Sequence, residues 1–452
     1  MSRLPSGKLW IGTAAECLCI AAMARHGNFL QAGEPVRFAL LAMAAGAAFW
    51  LAARVFVRAG FSPRANARWF WTVAVILRLL MLPILPGDDL WRYRWEGTIQ
   101  LHGFNPYELA PDSPMLVGLR DEGWTRISHR NVSAIYPPLA EGVFKWLASG
   151  GVKVSGYKLL FACADLGVAG ILRLLLGRAG VPPENAVYYA WNPLAIYVGA
   201  GAAHFDPLMV LAMMGAIWCL DRHREPSPAT PGSPAWWVPP LVWASAALLG
   251  AAIAIKAVPM VLLPVWAFAL GWRRALLALL VAIGLPLALA CLYGFPGVPL
   301  FGGLTRFAQG FRVNDAFWWL VDPQERAGRW YGGSAAVVCL ALAVWFRRDW
   351  RRGTIWVLGA ALLLGPAIHA WYVLWILPVA VWRGGYARAW IILSVSVFGY
   401  YLLWEVNHDS GRPWEEPVWL RTLIYLPPLC TLGWLRLARA SSPAEPGESC
   451  YG

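Results

Sequence analysis

Two adjacent carboxylates, an arginine and a tyrosine follow directly on an apolar stretch long enough to enter a bilayer. The stretch is 69–86, and the polar residues after it are Asp88, Asp89, Arg92 and Tyr93. Ionised groups are costly inside a membrane and cheap just outside it, so a cluster at the exit marks a candidate site. A carboxylate there can take the proton of an attacking hydroxyl, and apolar surroundings would raise its pKa toward that task. The plainer alternative is a solvated pair capping a helix that starts at Leu90, because aspartate is a favoured N-cap. The two roles are compatible. Asp89 is the favoured base and Asp88 the alternative.

If 89–101 is helical, Asp89, Arg92 and Glu96 share one face at spacings of three and four. The helix would lie on the membrane, with Leu90, Trp91 and Trp95 at the interface. Arg92 could bind a phosphate or hold a carboxylate, or it could form a plain helix-surface salt bridge. Further along, Asn105-Pro106-Tyr107 and Tyr136-Pro137-Pro138 bracket a polar stretch. Proline fixes φ, so both make rigid turns that either shape a pocket wall or only punctuate a loop.

His204-Phe205-Asp206 forms another polar turn, reached after Asn192-Pro193 breaks a helix. His204 with Asp206 suits acid–base work, a phosphate contact or simple capping. Lys256 is a single cation in an apolar stretch, placed to bind an anionic headgroup or to snorkel. Arg312, Asn314 and Asp315 stand among aromatics in 307–319, and His369 and Tyr372 sit beside Trp371. Aromatic surfaces with a few polar groups suit a sugar ring or a headgroup, and an interfacial helix would look the same.

The elements that must carry these residues are membrane helices. The chain has 452 residues, 59% hydrophobic and only 14% charged, against about 25% charged in soluble proteins. Apolar runs of spanning length recur throughout, continuous rather than alternating, which argues against a β-barrel. The expected fold is all-α, a polytopic bundle of about 12–14 spans. Three ionisable residues, Glu16, Arg78 and Asp165, fall inside spans, and Arg78 with Asp165 is the expected buried pair. The first run, 9–24, has a basic flank like a signal peptide but no clear cleavage site, and is read as a span.

The net charge of +13 does not indicate nucleic acid, because the basic residues are spread over short loops. They do set topology. Arg54, Arg58, Arg64 and Arg68, then Arg173 and Arg178, Arg222 and Arg224, Arg273 and Arg274, Arg347 to Arg352, and Arg383 and Arg388 all fall in alternate loops. That side is cytoplasmic by the positive-inside rule, with both termini. Two long extracytoplasmic segments remain, 86–155 and 296–332, and the first carries the Asp pair. Residues 221–235 read as a cytoplasmic linker and 441–452 as a tail, on a single membrane domain 1–440. The eight cysteines include no CxxC, so no metal–thiolate site is expected.

This series of motifs resembles the GT-C glycosyltransferases, and more closely the bacterial mannosyltransferases that use polyprenyl-phosphate-linked sugar. The residues that carry the resemblance are Asp88-Asp89-Leu90-Trp91-Arg92-Tyr93, Trp95-Glu96-Gly97 and Gly103-Phe104-Asn105-Pro106-Tyr107. Ile135-Tyr136-Pro137-Pro138, Asn192-Pro193-Leu194, His204-Phe205-Asp206, Lys256 and His369-Ala370-Trp371-Tyr372 follow in order. One departure is Glu96, where the family pattern has Asp. The resemblance implies a large first extracytoplasmic loop with juxtamembrane helices, a catalytic acid in that loop at Asp89 or Asp88, and inverting transfer without a nucleotide donor. It implies a sugar, best read as mannose, moving from a polyprenyl-phosphate donor to a lipid or glycan acceptor at the bacterial inner membrane.

Arg92, Tyr93, Lys256, His204, Asp206, Arg312, Asn105, Tyr136, His369 and Tyr372 are the expected substrate-binding residues. Metal use varies across the superfamily; no coordination set beyond the Asp pair is visible, so no metal or other cofactor is expected. Partners are the donor, the acceptor and membrane lipids, not nucleic acid, and the sequence sets no oligomeric state. Two other classes fit parts of the chain. A transporter or flippase of a lipid-linked sugar would place ionisable groups near the midplane. A polymerase or ligase would use a polyprenyl-pyrophosphate donor on the same face.

Overall fold

The computed structural model describes residues 7–224, 238–298, 300, 302–303, 305, 312–324, 328–408 and 414–441. Most of the expected 221–235 linker, the 442–452 tail and residues 306–311 lie outside these. Among the described residues there are helices and turns but no named strand, only an isolated bridge between Val313 and Ala367. Four of the described helices are long and apolar enough to cross a bilayer: Glu34–Val57, Val154–Arg178, Trp272–Cys291 and Ala387–Val406. Pro240–Ile255, Val258–Leu270, Tyr331–Trp345 and Ala370–Arg383 are shorter apolar helices. The protein is an all-α polytopic membrane protein.

Several expected spans are not continuous α-helices, and proline is the usual reason. The segment 186–202 comprises Val187–Ala190, then Pro193–Ile196, then a π-helical turn Tyr197–Gly201. Pro193 has no N–H to continue the first piece. Asn192 starts the second, its Oδ1 accepting from Leu194 N at 2.9 Å while its Nδ2 donates to Ser394 Oγ at 2.7 Å. The segment 256–271 is likewise a 3₁₀ turn, Val258–Leu262, followed by Leu263–Leu270.

The chain divides into two compact units. The first comprises Met1–Pro86, Lys158–Ala203 and Ile368–Gly452. Its core includes an aromatic cluster in which Phe38 lies 4.9 Å from Tyr197 and 5.1 Å from Tyr401 between centroids. The expected Arg78–Asp165 pair is there, with Arg78 Nε donating to Asp165 at 2.8 Å and Nη1 to the Ala74 and Ala190 carbonyls. Tyr189 donates to the other Asp165 oxygen. The pair is closed by bonds from every side, which is how a buried charge pair becomes tolerable.

The second unit comprises Gly87–Tyr157 and His204–Ala367. Its polar end is built on two short helices, Asp88–Leu101 and Pro138–Ser149. They approach closely at Gly97, where a Cβ would stand 2.4 Å from the Phe144 carbonyl oxygen. Only glycine permits that approach. Two 3₁₀ turns, Pro114–Leu119 and Glu122–Arg126, lie in the connecting loop.

Candidate active site

The helix carrying the Asp pair starts two residues earlier than a cap at Leu90 requires. Gly87 is the N-cap, in extended conformation, and Asp88 and Asp89 both fall in the first turn. Their charges there favour the helix through its dipole. The aspartates therefore do not cap by the side-chain geometry expected, although Asp88 Oδ1 accepts from Asp89 N at 3.1 Å.

The helix does not lie with its tryptophans at the membrane interface. Leu90 and Trp95 are buried inside the protein. Trp95 and Ile99 pack with Leu116 and Ile127 from the connecting loop, with Trp91, Phe104 and Trp124 against them. The loop folds back over the helix, so protein covers the surface that membrane was expected to cover.

Asp89 is placed by two other elements. One of its oxygens accepts from the Tyr136 hydroxyl at 3.3 Å. The other lies 3.3 Å from His204 Nδ1. Its side chain remains 24% exposed, whereas His204 is buried. Tyr136 is itself held by its carbonyl, which accepts from Tyr107 at 2.6 Å. Asn105 sets that tyrosine by accepting from its backbone N–H at 3.1 Å. His204 follows Ala203, whose φ of 60° is a left-handed conformation that alanine rarely adopts. A carboxylate hydrogen-bonded on one oxygen, with a histidine 3.3 Å from the other, and still partly open to solvent is suited to accept a proton from a hydroxyl.

Asp88 differs. It is exposed at the helix surface. Although the residue reaches the surface, the groups around its carboxyl desolvate it, and that effect, then the Asp89 charge, raises it above the ordinary range, against a hydrogen bond with Ser128 and the nearby His204.

Beneath Asp89 lies an aromatic box. Tyr93 stacks on Phe144 with centroids 4.6 Å apart and meets Phe205 edge-on at 5.2 Å and Tyr136 at 5.3 Å. Tyr93 is fully buried, and desolvation followed by the Asp89 charge pushes its hydroxyl well above the usual phenol range. It is a packing residue rather than the substrate contact expected, because its ring is covered by three others.

Lys256 is not an isolated cation. Its Nζ is 2.7 Å from Asp206 Oδ1 and 5.2 Å above the Phe205 ring. Asp206 is fully buried in the first turn of Asp206–His223, while the lysine side chain is 16% exposed. Lys256 thus stands at the edge of the same aromatic box, against Asp206 and Phe205, with part of its side chain exposed.

Arg92 also departs from expectation. It is 4% exposed, and its guanidinium is spent on protein groups. Nε donates to Glu96 Oε1 at 2.8 Å, Nη1 to the His129 carbonyl at 3.3 Å, and Nη2 to the Val132 and Ser133 carbonyls at 2.5 and 2.8 Å. A planar five-donor fork suits this task, and these four acceptors already engage all three guanidinium nitrogens. Arg92 is a strut tying the helix to residues 129–133.

Behind the strut stands a group that sequence reasoning missed. Glu141 is completely buried and hydrogen-bonds to Glu96. Gln100 donates to Glu141 Oε2 at 3.0 Å and accepts from the Tyr293 hydroxyl at 3.1 Å. Burial pushes both carboxyls up, and the Glu96 charge adds to the rise at Glu141, which ends well above the ordinary range. Of the two, Glu141 is the one pushed further toward the protonated form, in which it would donate to Glu96. Its signal was available: Glu141 stands on the apolar face of its helix, three residues from Phe144.

This pair binds a proton that the unfolded chain releases above the ordinary carboxylate range. Stability therefore falls as pH rises from that range toward the raised folded-state pKa. Glu141→Gln replaces the acid with a neutral donor of the same shape. Its melting temperature is expected to decline less steeply than wild type over that interval, with the fold intact. An identical slope in thermal scans of purified protein would remove the shared proton.

The remaining expected residues lie in other settings. Arg312 pairs with Asp315 at 2.8 Å and donates to the Asp322 carbonyl, while Asp315 caps Trp319 N. Asn105 lines a cavity of about 350 Å³ with Gln100, Lys145 and Tyr293. His369 and Tyr372 belong to the first unit, where His369 Nδ1 is 2.6 Å from the Tyr400 hydroxyl and its ring stacks on Trp371. Among the described residues, no three His, Cys, Asp or Glu side chains are grouped to hold a metal ion.

A family model described as alpha-(1->6)-mannopyranosyltransferase, N-terminal domain, matches residues 7–272. That stretch contains every residue of the cluster from Asp88 to Lys256. A probable alpha-(1->6)-mannopyranosyltransferase of Mycolicibacterium smegmatis is 26% identical over 389 residues, covering 73% of this chain and 67% of the relative. An alpha-(1->6)-mannopyranosyltransferase of Mycobacterium tuberculosis is 26% identical over 409 residues, covering 72% and 67%.

Proposed function

Because this chain belongs to the alpha-(1->6)-mannopyranosyltransferase family, we propose that it transfers mannose from polyprenyl-phosphate mannose to a hydroxyl of a lipid or glycan acceptor. The site faces the extracytoplasmic side of a bacterial inner membrane, since the alternate loops carry the arginines. The observation that carries the reading is the Asp89 carboxylate set against Tyr136 and His204, with Lys256 over the Phe205 ring that also meets the Tyr136 ring.

The reaction is a single displacement with inversion. Asp89 takes the acceptor's proton as the acceptor oxygen bonds to the anomeric carbon. The bond from that carbon to the phosphate oxygen breaks, and polyprenyl phosphate leaves. Lys256 stabilises the charge that gathers on the departing phosphate. Tyr136 and His204 orient Asp89, and Arg92 holds the segment that precedes Tyr136.

A panel of donors tests the reading. Purified protein should transfer from polyprenyl-phosphate mannose and not from a nucleotide mannose or a polyprenyl-pyrophosphate glycan. Transfer from the pyrophosphate alone would make the protein a polymerase or ligase. Uptake of intact lipid-linked sugar without transfer would make it a flippase.

The lysine needs a paired substitution, because Lys256→Ala alone leaves Asp206 buried and unbalanced. Lys256→Met with Asp206→Asn removes both charges. The KM for the lipid-phosphate donor is expected to rise about ten- to hundred-fold, the equivalent of one lost charge-assisted bond of about 1.5–3 kcal/mol. An unchanged KM in a folded protein would reduce Lys256 to a structural partner of Asp206.

A further inference from the structure

The first unit contains a cavity that the transfer reaction does not use. It measures about 220 Å³ and is lined by Trp50, Arg54, Tyr188, Arg388, Ile392 and Trp434 among others. At about 30 Å³ per water it has room for roughly seven waters, and so for a phosphate with a small alcohol attached.

The lining has the chemistry of an anion site at a membrane surface. Arg54 lies in the last turn of Glu34–Val57, and Arg388 is the second residue of Ala387–Ser396. Neither arginine forms an ion pair with a carboxylate among the described residues. Arg388 lies 5.6 Å above the Trp434 ring, and Trp50 meets Tyr188 at 5.7 Å. Arg54, Arg58 and Arg388 all act electrostatically on Tyr188. Two cations with no carboxylate partner among the described residues, walled by aromatic rings, have the chemistry to bind an anion.

Three features favour a lipid over a soluble anion. The arginines belong to the loops whose basic residues set the topology, at the level where a leaflet presents its headgroups. Tryptophan and tyrosine suit that interface. The helix Val418–Ser441, which supplies Trp434, exposes Leu426, Leu429 and Leu437 beside it, an apolar surface on which acyl chains can lie.

We propose that this cavity binds the phosphate of an anionic phospholipid headgroup, with Arg54 and Arg388 as its cations and Trp50, Tyr188 and Trp434 as its walls. The bound lipid is distinct from the sugar donor and from the site around Asp89.

Native mass spectrometry of the full chain, exchanged into mixed phosphatidylglycerol and phosphatidylcholine micelles, tests this. Wild type should retain phosphatidylglycerol selectively. Each arginine near an anionic headgroup contributes roughly a five-fold preference, so Arg54→Ala with Arg388→Ala should lose roughly thirty-fold in retention. The double lysine variant keeps both charges and should retain most of the lipid, which guards against a folding defect in the alanine variant. Arg64→Ala, an exposed arginine outside the cavity, should change nothing. Equal retention by the double alanine variant, equal loss with Arg64→Ala, or equal binding of phosphatidylcholine would each overturn the proposal. Displacement by glycerol phosphate as effective as by phosphatidylglycerol would overturn the lipid assignment in favour of a soluble phosphate.

Discussion

Asp89→Asn is expected to lower sugar transfer by about 10²–10⁴-fold, the usual cost of losing general-base assistance. Asparagine keeps the size of the side chain and an oxygen for the Tyr136 hydroxyl, but it has no lone pair basic enough to take the acceptor's proton. The phosphate contact assigned to Lys256 is a separate group, so donor KM should change little while kcat falls. Asp88→Asn separates the two acids. Asp88 is exposed and bonds only to its own helix start and Ser128 in the contacts described. Its loss removes a charge near a helix N-terminus, a contribution of about 0.3–1 kcal/mol, so transfer should fall by less than ten-fold. The measurement is transfer from radiolabelled polyprenyl-phosphate mannose by the two variants, with the product anomer assigned by NMR. Near wild-type rates for Asp89→Asn would move the base elsewhere. A retained anomer would exclude a single displacement whatever the base.

Arg92→Leu is expected to destabilise the protein by about 3–5 kcal/mol, the cost of breaking a buried ion pair from one side. Glu96 is 1% exposed and would be left buried without the cation that balances it. The His129, Val132 and Ser133 carbonyls would lose their donor at the same time. Arg92→Lys should recover only part of the loss, because one ammonium cannot reach four acceptors in a plane. Arg92→Met with Glu96→Gln removes both charges and should restore most of the melting temperature. That double variant decides between a strut and a phosphate ligand. A folded protein with unchanged donor KM leaves Arg92 structural. A folded protein with KM raised ten-fold or more would return it to the phosphate.

Membrane character and helical class were legible in the chain because each rests on local chemistry, and the same chemistry singled out the Asp pair as the candidate site. Continuous apolar runs cannot be stable in water, and a pair of aspartates cannot be placed cheaply inside lipid, so the position of Asp88 and Asp89 at the end of 69–86 already marked a boundary. The pairing of Arg92 with Glu96 followed from a spacing of four on a helix. The break at Asn192-Pro193 followed from proline's missing donor. Arg78 with Asp165 followed from the cost of either charge alone in a span.

What each of those groups does was decided only by the fold. Adjacent aspartates on a helix point about 100° apart, and nothing local says which of them meets Tyr136, 47 positions on, or His204, 115 positions on. The same holds for Lys256, which reads as a lone cation until Asp206, 50 positions earlier, is folded against it. Arg92 reads equally as a phosphate ligand or as the ion-pair partner of Glu96 until residues 129–133 close over its guanidinium. Glu141 reads as an ordinary first-turn acid until Gly97 lets two helices approach closely enough to bury it against Glu96. Sequence spacing determines what a helix can present on one face; which partner then covers that face, and so whether a charge is left to bind a ligand or is consumed in holding the protein together, depends on contacts between segments far apart in the chain.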